Sequence, residues 1–222
     1  MSGGDAETNA RAEAFCEFIN RAAAALAVYN LPAAREIAKA LRAADKIKTR
    51  RGKKPENALR RFPPADNAVR ENLRKFCAAA PFSCPLLKSA AHLARDIPWR
   101  MSGNGRAKTT AVAELIGPDG LAECADIRAG LFFQPANIFY TWHKHAAEEI
   151  YLTIGGKATW HAENRAPQTT DAGGLIHHPP NQPHAMKTAA APLLALWGWR
   201  GDINLETYAF CDAPAALPEQ TA

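Results

Sequence analysis

The sequence predicts a barrel or sandwich of short β-strands preceded by an α-helical region, and three observations carry that expectation. Apolar residues recur at helical spacing in the first part of the chain, beginning with Ala14, Phe15, Phe18, Ile19 and Ala22. From Trp99 onward the texture changes to short β-rich runs separated by Gly, Pro, Asn or Asp. No apolar stretch approaches the roughly 18–20 residues needed to cross a bilayer, so these segments must bury their apolar faces against one another.

The elements follow in order. A first helix spans Ala6 to about Tyr29, and Asn30-Leu31-Pro32 restarts the chain into a second over Ala33–Ala44, with Ile37, Ala40 and Leu41 on one side. The two read as a helical hairpin. Lys46–Arg61 is a basic cluster, including Lys48, Arg50, Arg51, Lys53, Lys54 and Arg60; without interleaved aromatic residues to stack on bases it reads as a solvated loop. A third helix is expected over Asp66–Ala80, broken by Pro81 and Pro85, and a short fourth over Leu86–Ala94. Strands are expected at Thr109–Ile116, Ala125–Phe133, Ile138–His143, Glu149–Ile154, Lys157–His161, Leu175–His178, Leu193–Trp199 and Glu206–Phe210. The change of texture divides the chain into a helical region, residues 1–96, and a barrel, residues 97–222.

Composition narrows the function classes. A chain of 222 residues, 47% of them hydrophobic, can bury one sizeable core or a barrel with a smaller helical layer. Its formal charge of +5 is spread over 27 basic and 22 acidic residues, which suits small anionic substrates and does not call for a nucleic-acid partner. Cys16, Cys77, Cys84, Cys124 and Cys211 form no Cys-x-x-Cys pair and read as idle thiols of a reducing compartment. The first residues lack a basic start followed by an apolar run, so the expected location is cytoplasmic, with no membrane partner.

The chemistry concentrates in two stretches. In the first, Tyr140 to Tyr151, residues two apart on a strand share a face, so His143 and His145 project together. A turn at Ala146-Ala147 would bring Glu149 opposite them, with Tyr151 on the face of Glu149, so that one hairpin supplies all four groups. The second stretch, Gly173 to His184, joins a glycine turn, a strand and a proline-rich turn to a lone histidine.

Together the two resemble the motifs of the cupin superfamily. His143, His145, Glu149 and Gly156 match the first, and Gly173, Pro179 and His184 match the second, with Asn181 standing where the family has glycine. Asparagine tolerates the left-handed turn, so that departure is mild. The family's glycine upstream of the first histidine is missing, with Asn137 or Ile138 near its place. The resemblance implies an all-β cupin barrel, a double-stranded β-helix or jelly roll, behind the α-helical N-terminal region. It also implies His143, His145, Glu149 and His184 as ligands of one divalent transition metal: Zn, Fe, Mn, Co or Ni, all of which accept imidazole and carboxylate.

Within the cupins, the Glu149-x-Tyr151 pair, the Tyr140-x-Trp142 run and a helical half before a single barrel resemble the dimethylsulfoniopropionate (DMSP) lyases. That likeness implies metal-dependent β-elimination on a small zwitterionic sulfonium carboxylate, with Tyr151 as the base. Tyr140 and Tyr208 are the reserve candidates or orient the substrate carboxylate. Trp197 and Trp199 are candidate aromatic faces for the sulfonium. The rival readings are a cupin dioxygenase or isomerase using the same ligands, and a metal-binding sensor without turnover. The apolar face of the helical half either covers the barrel mouth or forms a homodimer surface.

Overall fold

The computed structural model describes residues 3–44, 62–79, 83–102 and 110–215. The basic run Lys46–Arg61 lies wholly outside the described residues, as do the predicted ends of a helix at Ala80 and of a strand at Thr109. Among the described residues, four helices come first. α1 (Gly3–Leu26) and α2 (Pro32–Ala44) pack as the expected hairpin, with Pro32 at the first helical position, where no backbone donor is required. α3 (Asn67–Ala78) starts where the Asp66 side chain accepts from the Val69 N–H at 2.8 Å, and α4 (Pro85–Leu93) starts on another proline.

Eleven strands follow among the described residues: β1 (Arg100–Met101), β2 (Ala111–Ile116), β3 (Ile127–Gln134), β4 (Phe139–Lys144), β5 (Ala147–Gly156), β6 (Ala158–Ala162), β7 (Gln168–Thr170), β8 (Leu175–His178), β9 (His184–Lys187), β10 (Leu193–Gly201) and β11 (Ala209–Phe210). They form two antiparallel sheets, in the orders β1-β2-β3-β10-β5-β8 and β11-β4-β9-β6-β7. This is the all-β architecture behind a helical region that the sequence predicts. β1, β7 and β9 were not expected; at two to four residues each they are too short to display a period.

The middle strands of the larger sheet are buried on both faces, and the two faces serve different cores. Leu131, Phe133, Ile150, Leu152, Leu194 and Leu196 join Phe18, Ile37 and Leu41 of the helices. Phe132, Tyr151, Leu193, Ala195, Trp197 and Trp199 point the other way and join Tyr140, Trp160 and Met186 of the smaller sheet. The helical layer therefore covers the outer face of the six-stranded sheet and not the barrel mouth. The reason is area: that face is a continuous row of leucine, isoleucine and phenylalanine, and each such side chain gains about 1.5–3 kcal/mol on leaving water. α2 lies so close to β10 that a Cβ on Gly198 would come within 2.6 Å of Ile37 Cδ1. Ile37 is fully buried there. Ile37→Ala is expected to cost about 2–5 kcal/mol of unfolding free energy, measured by denaturant titration, since the sheet beneath cannot collapse into the gap.

The connection between β4 and β5 corrects a second expectation. The two strands do not pair: β4 pairs with β9 and β11, while β5 pairs with β8 and β10. At residues 145–146 the chain crosses from one sheet to the other. That crossing is fixed by side bonds in place of a hairpin ladder: the Ala146 N–H donates to Thr207 Oγ1 at 3.1 Å, and the His145 carbonyl accepts from the Asn181 N–H at 2.8 Å. Local period shows which residues share a face but not which strand lies alongside.

Candidate metal centre and active site

The crossing places the motif residues from opposite sheets around one point. His143 is on β4, His145 just beyond it, Glu149 on β5, and His184 opens β9 opposite His143. All four are buried to within 2% of full exclusion. The second motif turns where expected, with Asn181 in the left-handed region at φ 61°. Asn137 also takes φ 60°, filling the role of the glycine missing upstream of the first histidine.

Each of the three histidines is oriented by its Nδ1. The acceptors are the carbonyls of Thr141 (2.8 Å, His143), Ala147 (3.0 Å, His145) and Gln182 (2.8 Å, His184). A carbonyl can only accept, so each Nδ1 carries a proton and Nε2 is the ring atom left to face the site. That is the geometry a metal ligand needs, held by the kind of outer hydrogen bond that orients ligating imidazoles.

Two of those Nε2 atoms meet Glu149. His145 Nε2 lies 2.9 Å and His184 Nε2 3.1 Å from Glu149 Oε2, the latter off line for a hydrogen bond and without any hydrogen-bond partner. Acceptors crowded against a buried carboxylate are tolerable only with extra protons or a cation among them. The donor atoms of His145, Glu149 and His184 all fall within 4.8 Å of one another, and the group can hold a metal ion. The residues therefore fit the expected cation. His143 stands just outside this triple, its ring 4.1 Å from that of His184.

The electrostatics are consistent with a ligand set. Burial opposes the charge of Glu149, but His145 and His184 hold its carboxyl well below the ordinary range. Burial, then the neighbouring His184, keeps His143 well below the usual imidazole value, hence neutral. The second Glu149 oxygen accepts from the Trp199 indole N–H at 2.7 Å. Trp199 thus supports the carboxylate directly, while its ring lies 4.2 Å from that of His145.

A cavity of about 70 Å³ opens beside His143, His145 and Glu149, room for on the order of five water molecules or one small ligand. Its walls include the candidate base and substrate-binding residues Tyr140, Tyr151, Trp197, Trp199 and Tyr208, while His184 does not line it. Phe62, Ser102, Val112, Phe132 and Leu205 complete them and were not foreseen; Phe132 alternates inward on β3, a signal present in the sequence but shared with every apolar strand residue. No lysine or arginine is among the described lining residues.

Tyr151 packs against Phe132 (5.8 Å between centroids) and Trp160 (4.8 Å). Burial first, then the Glu149 carboxylate beside it, raises its phenol well above its ordinary value. Tyr140 and Tyr208 share a hydrogen bond of 2.8 Å, and burial pushes Tyr140 up to about 12. Tyr208 also stacks on His143 at 5.2 Å. His178 stands directly before Pro179. It is buried, and its ring lies parallel to that of His184 at 4.0 Å and 12°. His178 thus braces the His184 ring.

The comparisons agree with this geometry. The family model for dimethylsulfoniopropionate lyase matches residues 64–195, more than half of the chain. The DMSP lyase DddQ of Ruegeria pomeroyi is 37% identical over 90 residues, a stretch covering 40% of this chain and 45% of that relative's length. Among solved structures, a chain from the crystal structures of the DMSP lyases RdDddP and RnDddQII matches with TM-score 0.66 and 26% identity, over 90% of this chain and all of the other. The crystal structure of DddQ from Ruegeria pomeroyi matches with TM-score 0.54 and 25% identity, over 63% of this chain and 76% of the other. With the family model spanning both motif stretches and every ligand candidate, the chain belongs to the dimethylsulfoniopropionate lyase family.

Proposed function

We propose that the chain cleaves dimethylsulfoniopropionate to dimethyl sulfide and acrylate, with His143, His145, Glu149 and His184 holding one divalent transition metal and Tyr151 acting as the base. The observation that carries this is the cavity itself: aromatic walls, no described basic residue, a buried His/Glu/His group at one end and a phenol two residues from its carboxylate. A zwitterion matches those walls. With no lysine or arginine among the described lining residues, a substrate carboxylate is left to the metal end, and aromatic faces favour a desolvated cation by about 0.5–2 kcal/mol. The relatives described as DMSP lyases favour the same substrate.

When bound, a divalent cation supplies Lewis acidity to the substrate carboxylate and an electrostatic pull on nearby protons. The chain's own residues do the rest. Tyr151, as the phenolate, takes the proton from the carbon next to the carboxylate. The C–H electron pair becomes the new C=C bond, the C–S bond breaks, and its electrons leave on sulfur as neutral dimethyl sulfide. Phe132 and Trp160 hold the Tyr151 ring so that its oxygen stays beside Glu149. Trp197 offers an aromatic face to the sulfonium, and Tyr140 and Tyr208 direct hydroxyls toward the carboxylate end.

Headspace detection of dimethyl sulfide over purified protein tests the reading, with and without a chelator and with individual divalent metals restored. Release that stops with chelator and returns with metal is expected. A metal-loaded protein that releases none would exclude DMSP as the substrate. No helix among the described residues is long and apolar enough to cross a membrane.

A further inference from the structure

The segment that follows β10 returns across the cavity as a strap, and one buried arginine fixes its near end. Leu205 and Tyr208 of the strap line the cavity. Its far end is held by the pairing of β11 with β4 and by the Cys211 N–H donating to the Trp142 carbonyl at 3.0 Å. Its middle is held by Thr207 accepting from Ala146. At the near end, Arg128 Nε donates to the Ile203 carbonyl at 3.0 Å.

Arg128 lies on β3 with its side chain 7% exposed, and its guanidinium is itself held rigidly. Nη1 donates to Glu114 Oε2 at 2.7 Å and to Asp119 Oδ2 at 2.8 Å. Glu114 Oε1 accepts in turn from the Asp119 N–H at 3.1 Å. The chain makes room for this arrangement: at Gly117, φ +147°, a Cβ would come within 2.0 Å of Glu114 Oε1. Burying a guanidinium with two carboxyls for the fold alone is a poor bargain, since burial pushes the Glu114 pKa up to about 7 and such groups are often replaceable by apolar residues without loss of stability. What an apolar side chain could not supply is a rigid donor aimed at Ile203.

We propose that Arg128, with Glu114 and Asp119, is a positioning residue of the active site: by anchoring the Ile203 carbonyl it sets where Tyr208 stands over His143 and against Tyr140. This rests on reading the cavity as the active site. Arg128 is neither a ligand candidate nor a described lining residue; its backbone pairs with that of Trp199, but its side-chain donors go to Glu114, Asp119 and the strap.

Arg128→Lys tests it. A lysine keeps a charge between the carboxylates but lacks the fork needed to reach Ile203 as well. With the metal-loaded full chain, the expected result is unchanged metal affinity and a fall in kcat/KM of about ten- to a hundredfold, the size expected when a wall group is displaced on the order of 1 Å. In a double-mutant cycle the loss falls below about twofold once Tyr208 is already alanine, because the two changes act through one contact. Incorporated fluorotyrosine gives a readout independent of turnover: the 19F line of Tyr208, assigned with Tyr208→Phe, shifts or broadens in Arg128→Lys while that of Tyr29 does not. A folded Arg128→Lys protein with an unmoved Tyr208 line overturns the proposal, whatever the substrate proves to be. If the lysine variant does not fold, Arg128→Met with Glu114→Gln and Asp119→Asn removes the buried charges together; a folded triple variant with wild-type kinetics and an unmoved Tyr208 line likewise overturns it.

Discussion

Tyr151→Phe is expected to lower DMSP turnover by about 10²–10⁴-fold, the range general-base groups supply, while leaving metal content and fold intact. The argument is local. Tyr151 sits on β5 two residues beyond Glu149, its ring held by Phe132 and Trp160 and its phenol beside the carboxylate. Phenylalanine keeps the ring and those packing contacts and deletes only the oxygen. Without a cation the phenol stays protonated, since burial and the Glu149 charge both push its pKa up. In the proposed mechanism it becomes a base only when a neighbouring positive charge favours the phenolate, which would tie this residue's activity to metal loading. The measurement is the rate of dimethyl sulfide release by the variant, alongside its metal content by elemental analysis and its melting curve. A variant keeping more than about a tenth of wild-type activity, far above the loss a missing base produces, would move the role to another group. Tyr140 is the first alternative, its phenol tied to Tyr208 by a hydrogen bond of 2.8 Å.

What the sequence made legible was the set of residues, and what it concealed was how they meet. His143, His145, Glu149 and His184 could be chosen because ligand chemistry admits few residue types and because their spacing is carried by turns that leave marks. Gly156 takes φ +80°, and a Cβ there would meet the Pro192 carbonyl at 1.7 Å; Asn137 and Asn181 occupy left-handed positions that few other residues accept. The sheet crossing at residues 145–146 left no such mark, because a chain leaving one sheet for another and a chain turning in a hairpin share the same period of two. The helical layer was legible as helices but not as the cover of β3, β5 and β10. Strands apolar on both faces announce burial without naming the partner for either face. The bond from Trp199 to Glu149 and the hold of Arg128 on Ile203 join residues 50 and 75 positions apart, and neither follows from any local pattern.

Glu149→Gln separates the metal-binding part of the proposal from the fold, and its expected effect is as large as that of Tyr151→Phe. Glutamine has nearly the shape of glutamate and its amide oxygen can still accept from Trp199 Nε1. What disappears is the buried negative charge facing His145 and His184 at 2.9 and 3.1 Å. Because outer-shell partners of a metal site already cost about 10–100-fold in affinity when removed, loss of this charged donor is expected to exceed that range and to abolish DMSP cleavage. Trp199→Phe, which removes the N–H that orients the carboxylate and part of the ring packed on His145, should fall within it. The two variants therefore rank the roles of donor and support. The metal-free Gln variant is expected to start from a lower stability than the metal-free parent, since it loses the pairing with His145 and His184 that holds the carboxyl below its ordinary range. That offset is independent of metal, and the contrast that reports on ligation appears on adding metal. The parent gains about 2.7 kcal/mol of unfolding free energy at a hundred times its Kd, and the variant gains almost none at the same concentration. Melting curves with and without added metal give this contrast without any assay of turnover. A Gln variant stabilised by metal as strongly as the parent would remove Glu149 from the ligand set.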